Sequence, residues 1–410
     1  MASDSKPRLS PLPWTEVLVY WVLSFGSHLY SFYKLHTFSK EHEEGLEREF
    51  KLENGLLKGF KRDILDFEWS FWTEWAKNSL LWTLIGHGII SRLTTIFNPK
   101  LRVPALTLYG FLAASSVLGI KGVSVLLVHL GVSFSVAQLR KPTLSWLFNL
   151  LLISTLHIKS LQDIQRGWYS TEEEYYLLLF SVAMCGLRFI SFSLEHCWSP
   201  LDPSGVVELF WLFSYTFYHP LFYNGPIITF KAYTEQMRWS IEERSNRSEP
   251  ALRFLLLRSG RILLWWCLAE YMIHVMYMHS IQSIETYIEI LPPWALGGLA
   301  LALVQFFYVK YLVLFGLPCT LAALDELVPP KLPSCVSIMY SFTGMWRHFD
   351  EGLYRWLIRW SERGGTDEVL GFHGRVEDPE EMSWSTIAPP MLAFLYCFAQ
   401  IGLEWTSHPP

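Results

Sequence analysis

The stretch WALGGLALALVQFFYVKYLVLFGLP, residues 294–318, contains a single charged side chain, that of Lys310. About 20 mostly apolar residues are enough for an α-helix to cross the hydrocarbon core of a bilayer. The stretch therefore predicts a membrane-spanning helix. The whole chain has the same character, because 51% of its 410 residues are hydrophobic and only 17% are charged. Soluble domains usually carry about 25% charged residues.

Other apolar runs of similar length lie along the chain, at residues 14–32, 79–97, 103–120, 122–139, 143–157, 175–193, 205–223, 260–279 and 387–403. We therefore predict an all-α, polytopic membrane protein with about eight to ten spans, the shorter ones being re-entrant or buried. Arg188, Glu270 and Lys310 fall inside these runs. Because a charge is costly in hydrocarbon, we expect these three side chains to face protein or water.

Several functional classes have no support in the sequence. The net charge of −5 is mild and gives no indication of a nucleic-acid partner. The six cysteines are scattered without C-x-x-C spacing, so the sequence predicts neither a disulfide framework nor a zinc site. It contains no P-loop, no dinucleotide-binding glycine motif, no His-Glu-x-x-His and no Gly-x-Ser-x-Gly, the patterns that carry those chemistries elsewhere.

The segment YHPLFYNGPIITF, residues 218–230, breaks a helix at membrane depth through Pro220 and the pair Gly225-Pro226. Irregular backbone is tolerated there only where it is buried in protein or lines a cavity. Asn224 would present its amide to such a cavity and is a candidate substrate-binding residue. A plain helix end is the alternative interpretation.

Titratable side chains at membrane depth form the second group of candidates. Five histidines lie within or beside apolar runs, and the usual role of such a residue is a hydrogen bond between helices: His87, His129, His219, His274 and His279. Asp350 belongs to the amphipathic stretch MWRHFDEGLYRWLIRW, residues 345–360. Its position alone fits a solvated helix face as well as a catalytic site, and Cys335 alone fits a small buried hydrophobe.

Longer segments of the sequence resemble the membrane-bound O-acyltransferase family, in particular its branch that acylates Hedgehog signalling proteins. The resemblance lies in KEHEEGLEREF, DFEWSFWTEW, EEEYYLLLF, NGPIITF, residues 294–318 and CVSIMYSFTGMWRHFD. It covers residues 14–360 and returns in LAFLYCFAQIGLEW at 392–405. Residues 1–360 are therefore identified as the acyltransferase domain, 361–386 as a divergent polar segment, and 387–410 as a last membrane helix and tail. The C-terminal part of the fold is expected to be shortened.

The resemblance implies a multi-pass enzyme among the lipids of the endoplasmic reticulum membrane, with the Golgi as a second compartment. Palmitate would pass from palmitoyl-CoA to the N-terminal cysteine of a Hedgehog signalling protein and form an amide. The catalytic acid of the family falls on Asp350, whereas Trp346 would line the acyl tunnel and bind substrate together with Asn224. Cys335 matches a cysteine that holds the iron of a structural haem b, and a thiolate is a reasonable axial ligand for that iron.

The family also uses a catalytic histidine on a membrane helix that follows the acid. After Asp350 this sequence contains only two histidines, His373 in a polar stretch and His408. We therefore expect that the matching catalytic histidine is absent. The alternative function is then that of a truncated isoform or gene-model product that binds acyl-CoA or a partner without transfer. A transporter is a third hypothesis, suggested by charges at membrane depth, but the sequence has none of the internal repeats typical of that class.

Overall fold

A computed structural model describes residues 12–50, 52–55, 59–199, 205–238, 252–336, 339 and 341–362. The predicted last membrane helix, His373, His408 and nearly all of the divergent segment lie outside the described residues. By its contacts the chain divides into two compact units. One contains residues 1–72 with 264–310, and the other contains residues 73–263 with 311–410.

Helices account for most of the described residues. Two short strands, β1 (Glu53–Asn54) and β2 (Lys61–Arg62), form an antiparallel ribbon in which Glu53 lies opposite Arg62. The helices are α1 (Trp14–Glu41), α2 (Glu43–Phe50), α3 (Phe67–Trp75), α4 (Leu81–Phe97), α5 (Arg102–Ala137), α6 (Pro142–Ser154), α7 (Lys159–Arg166), α8 (Glu172–Trp198), α9 (Gly205–Thr216), α10 (Phe230–Met237), α11 (Leu252–Val275), α12 (Met278–Gln282), α13 (Glu285–Ile290), α14 (Pro293–Leu324), α15 (Phe342–Phe349) and α16 (Glu351–Glu362).

Among the described residues, four helices are long and apolar enough to cross a membrane, or five if one bent pair counts as a span. They are Phe67–Phe97, Pro99–Ala137, Glu172–Trp198 and Pro293–Leu324, with the bent pair Pro142–His157 and Lys159–Arg166. The expected eight to ten spans were too many for this part of the chain. Helix α9, for example, ends after 12 residues, and at 1.5 Å per residue such a helix reaches about 18 Å of a hydrocarbon core roughly 30 Å thick.

The predicted spans 103–120 and 122–139 are the two halves of helix α5. The break between them is at Gly119, whose backbone has φ 69° and ψ 171°. Glycine reaches a positive φ at little cost because it has no Cβ. The change of direction therefore falls where the sequence permits it.

Charged groups at membrane depth have polar partners within the protein, as predicted. In the first unit, the Lys310 ammonium lies 3.0 Å from a carboxylate oxygen of Asp66 and 2.9 Å from one of Glu68. In the same unit, the Glu270 carboxylate accepts a hydrogen bond of 3.0 Å from the indole N–H of Trp69. Buried charges are tolerated when they are paired in this way.

Candidate functional site

In the second unit the chain breaks after helix α9, at the segment singled out in the sequence. A short 3₁₀ turn at His219–Leu221 follows, and Gly225 has φ 134°, a backbone conformation that favours glycine. The buried Arg188 of helix α8 donates hydrogen bonds to the carbonyl oxygens of Tyr215 and Thr216, both at 2.9 Å, and also to that of Leu221. One guanidinium thus satisfies three carbonyl groups that a continuous helix would have bonded itself, because its N–H donors are arranged as a fork.

Asp350 lies at the junction between helices α15 and α16. Its carboxylate accepts a hydrogen bond of 2.9 Å from the N–H of Leu353, and its carbonyl oxygen accepts one of 2.9 Å from the N–H of Tyr354. This is the N-cap arrangement, for which Asp is among the preferred residues. Burial raises the pKa of Asp350, although the backbone N–H groups of Leu353 and Gly352 act in the opposite direction. The carboxyl is therefore a weaker acid, and its anion a stronger base, than an exposed aspartate.

The two segments that carry Asn224 and Asp350 meet at Gly352. A Cβ atom on Gly352 would lie 2.8 Å from the carbonyl oxygen of Ile227 and 3.0 Å from its nitrogen. Only glycine allows so close an approach of the two backbones. Ile227 also packs into a hydrophobic cluster with Trp356 and Leu357 of helix α16 and three side chains of helix α8, Leu187, Ile190 and Leu194.

A small cavity lies beside the break. It is lined by Met184, Arg188, Tyr215, Tyr218, Leu221, Pro226, Ile227, Ile228 and Tyr233. The set combines aromatic side chains with one cation, and its volume of about 10 Å³ is the space of a single water molecule. Asn224 and Asp350 are not among these nine residues.

The sequence reasoning missed the principal acidic residue of a buried polar network in this unit, Asp325. Its carboxylate accepts hydrogen bonds from His87 at 2.8 Å and Tyr218 at 2.5 Å, and Arg102 lies 3.3 Å away. Burial raises the pKa of Asp325, but His87 and Arg102 outweigh it and hold this pKa well below its usual range. His87 therefore has the helix-bridging hydrogen bond expected of it. No motif in the sequence joins it to Asp325, which lies far along the chain.

The sequence of the chain matches a known enzyme family. Residues 134–360 match the model of the membrane-bound O-acyltransferase family, a range that includes helix α8, the break and Asp350. The chain belongs to this family. The all-α, polytopic fold expected from the sequence is thereby confirmed.

The chain is similar in sequence to three named members of this acyltransferase family. Mouse protein-cysteine N-palmitoyltransferase HHAT is 47% identical over 357 residues, which are 85% of this chain and 71% of that protein. The mouse HHAT-like protein is 30% identical over 78% of this chain and 61% of its own length. Rasp of Drosophila melanogaster, also called a protein-cysteine N-palmitoyltransferase, is 27% identical over 57% of this chain and 46% of its own length.

The remaining candidate site residues, Trp346 and Cys335, lie close to Asp350 in the sequence. Trp346 is half-buried on helix α15, and Cys335 is a half-buried cysteine without a disulfide partner. The N–H of Ser334 donates to the carbonyl oxygen of His348 at 3.1 Å, which holds the segment next to Cys335 against that helix. Within the described residues, no group of three His, Cys, Asp or Glu side chains is arranged to hold a metal ion.

The cap and the charge of Asp350 can be separated by substitution. Asp350→Ala removes the cap and should lower the free energy of unfolding by about 1 kcal/mol. Asp350→Asn keeps a capping oxygen and removes the carboxyl, so it should be at least as stable as the parent chain at neutral pH. Apparent melting temperatures in detergent measure both effects.

The pH dependence of stability is the control for the comparison of Asp350→Asn with the parent chain. Because the pKa of Asp350 is higher in the folded chain, its ionisation opposes folding above the ordinary Asp pKa. The stability of Asp350→Asn relative to the parent should therefore rise as the pH increases above about 4, the ordinary Asp pKa. A difference that falls over this range would contradict the burial of the carboxyl.

Proposed function

We propose that this chain binds palmitoyl-CoA and belongs to the enzymes that transfer palmitate to the N-terminal cysteine of Hedgehog signalling proteins. The observation that carries the proposal is the placement of Asp350. Its carboxyl caps helix α16, whose Gly352 lies against Ile227 of the broken segment, in a chain 47% identical to a palmitoyltransferase. We further propose that the reaction takes place in the endoplasmic reticulum membrane, and also in the Golgi, with lipids around the apolar helices.

The reaction has a simple balance. The acceptor amine attacks the thioester carbonyl, a C–N bond forms, the C–S bond breaks, and CoA leaves as a thiol while the amine loses a proton. Asp350 is the residue in this chain that we assign to orient the amine and polarise the reacting groups. Its capped position at the helix junction holds the carboxyl in place for this role. Trp346 and Asn224 are assigned to the acyl chain and to the bound substrates.

The rate of transfer depends on a second group. A positioned general base typically contributes about 10²–10⁴-fold. We propose that neither histidine after Asp350, His373 or His408, matches the histidine that supplies this base in the family. His373 lies among glycines and acidic residues in the sequence, unlike the apolar surroundings of the family's catalytic histidine. This observation favours a second candidate function, in which the chain binds palmitoyl-CoA or a protein partner and transfers little palmitate.

An assay of binding and transfer in the same membranes tests both functions. The 410-residue chain should retain palmitoyl-CoA, and it should palmitoylate a Hedgehog N-terminal peptide at least about 100-fold more slowly than mouse HHAT, because it lacks the positioned base. Asp350→Asn should abolish the residual transfer and leave acyl-CoA binding within about twofold. Transfer at the rate of the mouse enzyme would contradict the assignment of the base. His373→Ala then shows whether that histidine supplies it, because only a base at His373 would be lost with the substitution.

We also propose that Cys335 holds the iron of a structural haem b. The support is its half-buried, unpaired sulfur beside helix α15. Haem iron needs only one or two protein ligands, because the porphyrin supplies the others. The group would brace the segment before Asp350 and take no part in acyl transfer, which includes no redox step.

Absorbance of the purified protein tests this ligand. A Soret band should be present and should disappear in Cys335→Ala, whereas Cys319→Ala, which removes a buried thiol of helix α14, should keep it. A band that survives Cys335→Ala would remove Cys335 as the ligand. A protein that carries no haem before substitution would refute the proposal altogether.

A further inference from the structure

Glu195 lies near the C-terminal end of helix α8, away from every residue assigned above to the reaction. Its side chain is 5% exposed. One carboxylate oxygen accepts a hydrogen bond of 2.5 Å from the backbone N–H of Lys231, and the other lies 2.8 Å from the guanidinium of Arg359. The two partners belong to different elements, helix α10 and helix α16.

The contact with Lys231 fixes the end of the broken segment. The first N–H groups of a helix have no partner within it, and in helix α10 three of them are satisfied from outside the ladder. Phe230 donates to the Ser191 hydroxyl at 3.0 Å, Lys231 donates to Glu195, and Ala232 donates to the hydroxyl of the N-cap Thr229 at 3.3 Å. Ser191 and Glu195 are four residues apart and so lie on one face of helix α8. A carboxylate at this end also complements the helix dipole.

The contact with Arg359 fixes the helix that begins at Asp350. Arg359 lies nine residues further along helix α16, about 14 Å from its start at 1.5 Å per residue. The side chains between them, Trp356 and Leu357, pack on Ile227 and helix α8. Helix α16 is therefore held at its first turn by Gly352 against Ile227 and again by Arg359 against Glu195.

We infer that Glu195 is a positioning residue that sets Asp350 against the segment 224–230. One buried carboxylate connects the element that follows Asn224 with the helix that follows Asp350, through one charge-assisted hydrogen bond from Lys231 and one ion pair with Arg359. We call segment 224–230 and the helix junction at Asp350 the two walls of the proposed site. Their relative placement thus depends on a group that touches neither substrate. The positioning role follows from these contacts alone, and only its expected effect on palmitoyl-CoA binding rests on the proposed function.

Hydrogen exchange of the full chain in detergent tests the positioning directly, without any ligand. In Glu195→Gln the amide oxygen can still accept from Lys231, but the charge that attracts Arg359 is gone. Exchange should become faster in peptides covering 350–362, by about tenfold for the loss of the ion pair with Arg359. It should become faster to a smaller extent in peptides covering 224–237, where a neutral amide oxygen replaces the carboxylate that accepts from Lys231. Arg359→Gln should loosen 350–362, and Arg359→Lys, which keeps the charge, should restore protection.

The matched control is Glu208→Gln. Glu208 of helix α9 is 2% exposed and lies 2.9 Å from His196, the neighbour of Glu195 on helix α8. This variant also loses a buried carboxylate next to helix α8, and the ion pair that it breaks is with His196 of that helix rather than with helix α10 or α16. It should leave exchange in both peptides within about twofold of the parent. Equal loosening by Glu195→Gln and Glu208→Gln, or no loosening by Glu195→Gln, would overturn the inference.

Palmitoyl-CoA affinity supplies the second measurement. Glu195→Gln should weaken binding by about tenfold, the factor for one lost charge-assisted contact, whereas Glu208→Gln should not. If the parent chain does not bind palmitoyl-CoA, the proposed function fails and the exchange result still decides the role of Glu195. If the parent binds and Glu195→Gln binds equally well, the proposed function stands and Glu195 does not position the site.

Discussion

Carbonyl groups that lose their helical partners at membrane depth must be bonded within the protein, and Arg188 meets this requirement where the chain breaks after helix α9. Its guanidinium bonds the carbonyl oxygens of Tyr215, Thr216 and Leu221. Each such oxygen would otherwise carry the cost of a buried, unsatisfied polar group. The irregular segment 217–229 can therefore exist inside an otherwise helical unit. The cavity beside it has Arg188 in its wall because the same side chain closes the break.

Once the break is fixed, the position of Asp350 follows from packing. Gly352 lies against the backbone of Ile227, and the side chains of helix α16 share a hydrophobic cluster with helix α8. Helix α8 supplies Arg188 to one wall and Glu195 to both. The family match at residues 134–360 contains all of these elements. The proposed site is thus built around one buried helix, α8. Asp350 is positioned by contacts that lie elsewhere on helices α8 and α16.

The sequence predicted those features that depend on local chemistry. The partners of Arg188 and Lys310 were expected because a lone charge is costly in hydrocarbon, and Pro220 and Gly225-Pro226 marked the break. The pairing of Glu195 with Arg359, and of Asp325 with His87, could not be predicted, because each joins residues far apart in the chain and no spacing rule connects them. Within the described residues, span 205–223 was overestimated because apolar character continues beyond Thr216, where helix α9 ends. Hydropathy does not record where backbone hydrogen bonds stop.

The central claim is that an acyl-CoA thioester lies between the segment 224–230 and the helix junction at Asp350. Photo-crosslinking tests it most directly, with a palmitoyl-CoA analogue that carries a diazirine on the acyl chain near the thioester. The account predicts adducts in peptides containing 224–230 and 345–357, which excess palmitoyl-CoA suppresses. Adducts confined to the exposed apolar side chains of helices α1 and α4, such as Trp21 and Trp82, and insensitive to competition would contradict it.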